Sequence, residues 1–214
     1  MQIRVRDGMW RLRGVISLSF TLTLIYGIDL LVANLLGFSS VAAMQASLSL
    51  VEKRAVVAIA GPLLHQGVGH LLNNLVFLLL FGGYVEWQLG LREFYGVAGT
   101  IGYLASWLLL SLGGAGAVGA SSVTHGLETL TGLLGMVRLG EELPGVETTP
   151  GLLRATVHVP AFLFGLGFTY FEIREWLASP EDGTLVIHVL GSIVGGVIGV
   201  VIVLGEVRQQ WRSS

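Results

Sequence analysis

The 214-residue chain has no cysteine, a single lysine and only 12% charged residues. Without cysteine it can form no disulfide, no thiolate metal site and no thiol nucleophile. A soluble domain carries about 25% charged residues. Half that share, with 53% hydrophobic residues and a mean hydropathy of +0.76, excludes an ordinary soluble fold. The net charge of −2 and pI near 6.2 argue against nucleic acid as a partner. There is no His-Glu-x-x-His zinc motif, and Asp29 is the only aspartate inside an apolar run, so zinc and paired-aspartate proteolysis are both disfavoured. Long-period repeats, low-complexity tails and a soluble domain are absent as well.

What the chain does have is apolar length. Six runs, approximately 14–36, 62–83, 92–112, 119–138, 151–173 and 184–206, each approach the roughly 20 residues that a helix needs to cross a bilayer. The first run follows Arg4, Arg6, Arg11 and Arg13 as a signal peptide would, but it is longer than the usual h-region and reads as a retained span. The 31 glycines suit close helix–helix contact. The expected fold is an all-α membrane protein, a six-transmembrane-helix bundle over 14–206, with a cytoplasmic N-terminal segment 1–13 and a cytoplasmic tail 207–214.

Basic residues orient it. With both termini inside, Arg4, Arg6, Arg11, Arg13, Arg92, Arg138, Arg154, Arg208 and Arg212 are cytoplasmic, and only Lys53, Arg54 and Arg174 lie outside. This satisfies the positive-inside rule and predicts a multi-pass plasma-membrane protein with cytoplasmic termini. Spans 2, 4 and 6 then start outside. At about 1.5 Å rise per residue, His70 sits about 12 Å in, Asn74 about 18 Å, Ser121 in the first turn and His188 roughly 6 Å in. Polar groups on three parallel spans thus share the outer half of the membrane, where each is costly and reads as functional. A transporter pathway would spread them through the full depth. The outer loop, roughly 37–61, is long enough to hold surface-lying helices.

A serine, two histidines and an asparagine supply a nucleophile, a base and donors, the requirements of acyl transfer. Their setting resembles the rhomboid family of intramembrane serine proteases. His70-Leu71-Leu72-Asn73-Asn74 matches its His-x-x-x-Asn motif, Gly119-Ala120-Ser121-Ser122 its Gly-x-Ser-x motif, and His188 with Gly191 and Gly195 its last-span histidine followed by small residues. Gly82, Glu86 and Gly90 match a further Gly-x-x-x-Glu-x-x-x-Gly stretch. The motif-bearing stretch covers roughly 62–205.

The resemblance implies a Ser-His dyad without a carboxylate. Ser121 is then the nucleophile and His188 the general base. The Ser121 backbone N–H, His70 and Asn74 form the oxyanion site, with no cofactor and no metal. His70 and Asn74, at i and i+4, can converge on one oxygen. The implied substrates are single-span transmembrane proteins in the lipid bilayer. The competing reading is a catalytically inactive rhomboid-like protein that binds or sorts membrane clients; retention of the serine and histidine argues against it.

Gly191, Gly195 and Gly199 form a stripe on span 6 that Gly126 of span 4 could receive, drawing Ser121 toward His188. Ser122 replaces the usual glycine, and His125 stands where the family usually has an aromatic residue on the catalytic histidine. Stacking on His188 is its expected role, and a second proton acceptor for Ser121 the alternative. No Trp lies between Trp10 and Trp87, so the first outer loop lacks the Trp-Arg pair of many bacterial members. Glu128 reads as a structural group bonded to a neighbouring span, Asp29 as water-facing or interhelical, and His65 and His158 as satisfied bundle histidines. Asn73 is expected to bond another helix.

Overall fold

Glycines and short polar turns cut the apolar sequence into helices, and among the described residues there is no strand. The computed structural model describes residues 12–114, 119–143 and 149–213. The order is α1 (Arg13–Leu35), α2 (Val41–Ser47), α3 (Leu50–Ala60), a 3₁₀ turn (Gly61–Leu63), α4 (Val68–Phe77), a π-helical turn (Leu78–Gly82) and α5 (Gly83–Leu89). Then follow α6 (Leu91–Ser111), α7 (Ser121–Glu142), α8 (Thr149–Ala178) and α9 (Gly183–Ser213). The segment α4–π turn–α5 is one continuous rod.

Five rods are long and apolar enough to cross a membrane: Arg13–Leu35, Val68–Leu89, Leu91–Ser111, Gly151–Ala178 and Gly183–Glu206. The sixth rod, α7, falls short on hydropathy for a physical reason. From Ser121 to Gly135 every residue except His125 and Leu133 is buried. Its neighbours cover it, so its Ser, Thr, His and Glu side chains meet protein rather than lipid. The rods form an all-α membrane bundle with α7 inside. The shared core joins Val15 and Leu22 of α1, Leu78 of the π turn, Phe94 and Ile101 of α6, and Leu127 and Leu130 of α7.

Span boundaries differ most from the sequence expectation at the second rod, which begins at Val68 rather than 62 and ends at Leu89 rather than 83. Pro62 sits in the 3₁₀ turn, and Gly67 adopts an extended conformation as the N-cap. At the other end, Glu86 and Gln88 are buried and partnered, so polarity there does not stop the helix. Gly90, at φ +100°, does stop it. The depths change accordingly: His70 is two residues and Asn74 six residues from the helix start, about 3 Å and 9 Å along the axis. At the C-terminal end, α9 continues to Ser213, so most of the expected tail extends the last helix.

The loop expected on the outer side, roughly 37–61, holds two helices, α2 and α3. Ser49 and Glu52 form a reciprocal capping box at the start of α3. The Ser49 hydroxyl and backbone N–H hold the Glu52 carboxyl below the usual carboxylate range. Tryptophan ties this loop down from outside it: Trp107 Nε1 of α6 donates to Ala58 O at 3.1 Å, and Arg54 donates to Leu110 O at 2.9 Å.

Glu86 fastens α1. The first turn of α1 has no acidic residue of its own. Glu86, 1% exposed, accepts from the backbone N–H groups of Gly14 and Val15, at 2.8 Å each. Two of the orphan donors of that helix terminus are thereby satisfied. Toward the C-terminal end of α7, Arg138 reaches Gln88 of α5 at 3.1 Å and Glu206 of α9 at 2.9 Å, clasping three rods.

Candidate active site

Glycine contacts set the helix positions that make the site. A Cβ on Gly191 or on Gly195 would collide with the backbone carbonyl oxygens of Ser122 and Gly126 respectively. Backbone meets backbone here, as the glycine stripe led us to expect, with Gly126 as receiver. Gly199 instead accommodates the Leu133 and Leu130 side chains. On the opposite flank of α7, Gly132, Gly135 and Gly165 allow equally close contact with α8, an arrangement the sequence reading did not identify.

Gly119 is required twice over. Its φ of +131° disfavours any residue with a Cβ, and a Cβ there would lie 2.5 Å from His70 Cε1. Its N–H donates to Gly61 O at 2.7 Å. The entry to α7 is thus pinned between the 3₁₀ turn and the His70 ring, with Ser121 as the first residue of the helix.

One turn on, the His125 ring lies 4.2 Å from the His188 ring, the planes inclined by 35°. The two rings are in contact, but tilted rather than stacked in parallel. The Ser121 hydroxyl makes no hydrogen bond to a described residue, and Ser121 is 4% exposed. Catalytic hydrogen bonds are often long in a resting site and tighten around substrate. Asn74 is 1% exposed, yet its Nδ2 has no partner among the described residues. A buried amide donor left unsatisfied costs about 1–3 kcal/mol, which calls for an explanation. Ser122 Oγ is likewise buried and unpartnered.

A carboxylate that the sequence reading overlooked enters from α8. Glu172 Oε1 lies 2.8 Å from His125 Nδ1 and 3.2 Å from His188 Nδ1, and Oε2 accepts from Ser192 Oγ at 3.2 Å. A usable signal was its level: Glu172 lies six residues before the end of α8, and His188 five after the start of α9. His125, Glu172 and His188 each offer one ligand atom within 4.8 Å of the others, a spacing that a divalent ion could bridge.

Two structural expectations need correction, at His65 and Asn73. Glu128 meets His125 of its own helix at 3.2 Å, because i and i+3 share a helix face, and also faces Thr169 of the neighbouring α8. His65 is not a fully satisfied histidine: it is buried before α4, its ring nitrogens make no well-formed hydrogen bond among the described residues although the Leu63 backbone faces the ring, and the ring stands edge-on to His70 at 5.3 Å. Asn73 is exposed and bonds no other described residue. Asp29 is half-buried, with Oδ2 unpartnered. His158 does behave as expected, bonding Tyr84 Oη at 2.8 Å and stacking on Trp87.

Fold and site together define a class: a polytopic α-helical membrane bundle in which His70 of α4 meets the entry to α7 and His188 of α9 meets His125 of α7. Residues 52–208, well over half of the chain, match the Rhomboid domain family, and the chain belongs to the rhomboid family. That family typically comprises intramembrane serine proteases acting on transmembrane substrates within the bilayer. No curated protein matches the chain.

Proposed function

We propose that the protein is an intramembrane serine endopeptidase that cleaves single-span transmembrane substrates with a Ser121–His188 dyad. The observation that carries this reading is the contact of the His188 ring with His125, one turn below Ser121, with α7 and α9 in backbone contact at Gly191 and Gly195. Ser121 Oγ attacks the scissile carbonyl as His188 takes its proton; His188 then protonates the departing amine. The developing oxyanion is held by the Ser121 backbone N–H at the start of α7, by His70 and by Asn74. The unpartnered Asn74 Nδ2 supports that role, because a donor kept free in the resting site costs no bond when the oxyanion forms.

The helix N-terminus adds its dipole to the same charge. Substrates unwound near the scissile bond suit the site, since a regular helix shields its own carbonyls. The reading includes a plasma-membrane location, cytoplasmic termini and cleavage near the outer leaflet, as the basic residues indicate. Purified protein in lipid vesicles should cleave a single-span substrate, and Ser121→Ala should abolish turnover with the fold intact. Full binding of that substrate without cleavage by the wild-type chain would instead favour an inactive client-binding rhomboid.

A further inference from the structure

A dyad leaves Glu172 without a task, yet both of its carboxylate oxygens are engaged at the site. Its two oxygens face two imidazole nitrogens and one hydroxyl, contributed by α7 and α9. Ser192 lies one turn beyond His188 on α9, so the donor to Oε2 and the imidazole at Oε1 come from the same helix face. His188 Nε2 is engaged by no described residue.

We infer that Glu172 is the positioning residue for His188, converting the dyad of this chain into a Ser121–His188–Glu172 relay; the inference rests on the function proposed above. A carboxylate at Nδ1 fixes the tautomer that carries its proton there and leaves the lone pair on Nε2. When the Oγ–carbon bond forms, the Ser121 proton passes to Nε2. The imidazolium then holds protons on both nitrogens, and Glu172, still ionised, faces the one on Nδ1. As the scissile C–N bond breaks, the Nε2 proton passes to the leaving amine. No proton comes to rest on Glu172.

Two other tasks for Glu172 are distinguishable. It lies closer to His125 than to His188 and could serve only as the counter-ion of His125, which Glu128 also faces. Alternatively, the three side chains could serve as ligands of a divalent ion.

The test is cleavage of a single-span substrate by the full chain in lipid vesicles. Wild type, Glu172→Gln, Glu172→Asp, Ser121→Ala and the double variant Glu172→Gln/His125→Phe are compared, with thermal unfolding of each. Glu172→Gln should lower kcat by about 10²-fold to 10⁴-fold, the upper figure being the loss when a serine-protease triad aspartate is replaced by its amide. KM should change by less than about twofold, the split expected when only transition-state stabilisation is lost. Glu172→Asp should recover part of the loss, which keeps the inference testable if the amide variant unfolds. The double variant should be no faster than Glu172→Gln alone. Wild-type kcat in Glu172→Gln would overturn the inference, as would recovery in the double variant, which would make Glu172 a counter-ion for His125. Wild-type activity that chelator abolishes and zinc restores would overturn it in favour of a metal site. Full turnover by Ser121→Ala would refute the proposed nucleophile itself, whatever Glu172 does.

Discussion

Asn74, Ser122 and His125 carry the sharpest residue-scale tests. Asn74→Ala removes a buried amide whose Nδ2 has no partner among the described residues, so it should cost little stability. As an oxyanion donor it should lower kcat by about 10²–10³-fold with KM nearly unchanged. Wild-type kcat in a steady-state assay would return Asn74 to a packing role. Ser122→Ala should leave measurable turnover, because adjacent helix residues point about 100° apart and one hydroxyl alone can face His188. His125→Phe keeps a ring against His188 and should retain most of kcat; a large loss with intact folding would instead assign His125 a proton path. Ser121, His70, Asn74 and His188 were legible in the sequence because polar groups in apolar runs stand out and their spacings match a family. Glu172 was not, because it belongs to no short motif and the resemblance to a dyad gave no reason to look for a carboxylate.

At the scale of elements, the site depends on glycine. A Cβ at Gly195 would meet the Gly126 carbonyl oxygen, and backbone cannot move aside as a side-chain tip can. Gly195→Ala should therefore destabilise by about 1–3 kcal/mol, the usual range for overpacking. Because α9 would shift against α7, kcat should fall as well. Unchanged unfolding temperature and activity would show that the two helices are not in register as described. The same stripe on span 6 was readable from its four-residue spacing. The α7–α8 contact was harder to read, since Gly132 meets Gly165 and Leu166 while Gly135 meets Ala161 and Phe162, without a common repeat. Helix starts were also poorly marked: hydropathy averaged Pro62 and Leu63 into the second span, whereas chain geometry delays the helix to Val68.

At the scale of the whole molecule, stability and chemistry are separated along the bundle. Glu86 and Arg138 tie rods together away from Ser121, so their loss should affect folding more than catalysis. Glu86→Gln removes the charge from two hydrogen bonds to the start of α1, bonds worth about 1.5–3 kcal/mol each to a charged group. It should lower the thermal unfolding temperature while leaving the kcat of folded protein near wild type. The all-α membrane fold was legible because five rods are long and apolar. The sixth was also read as an apolar run, yet α7 is less apolar than the other five, and its burial among them explains why. The central claim is that Ser121 is the nucleophile activated by His188. Its most direct test is fluorophosphonate labelling of the folded protein followed by peptide mapping of the adduct. The account predicts a single adduct on Ser121 that is lost in folded His188→Ala. An adduct on Ser122, or labelling of His188→Ala at the wild-type rate, would contradict it.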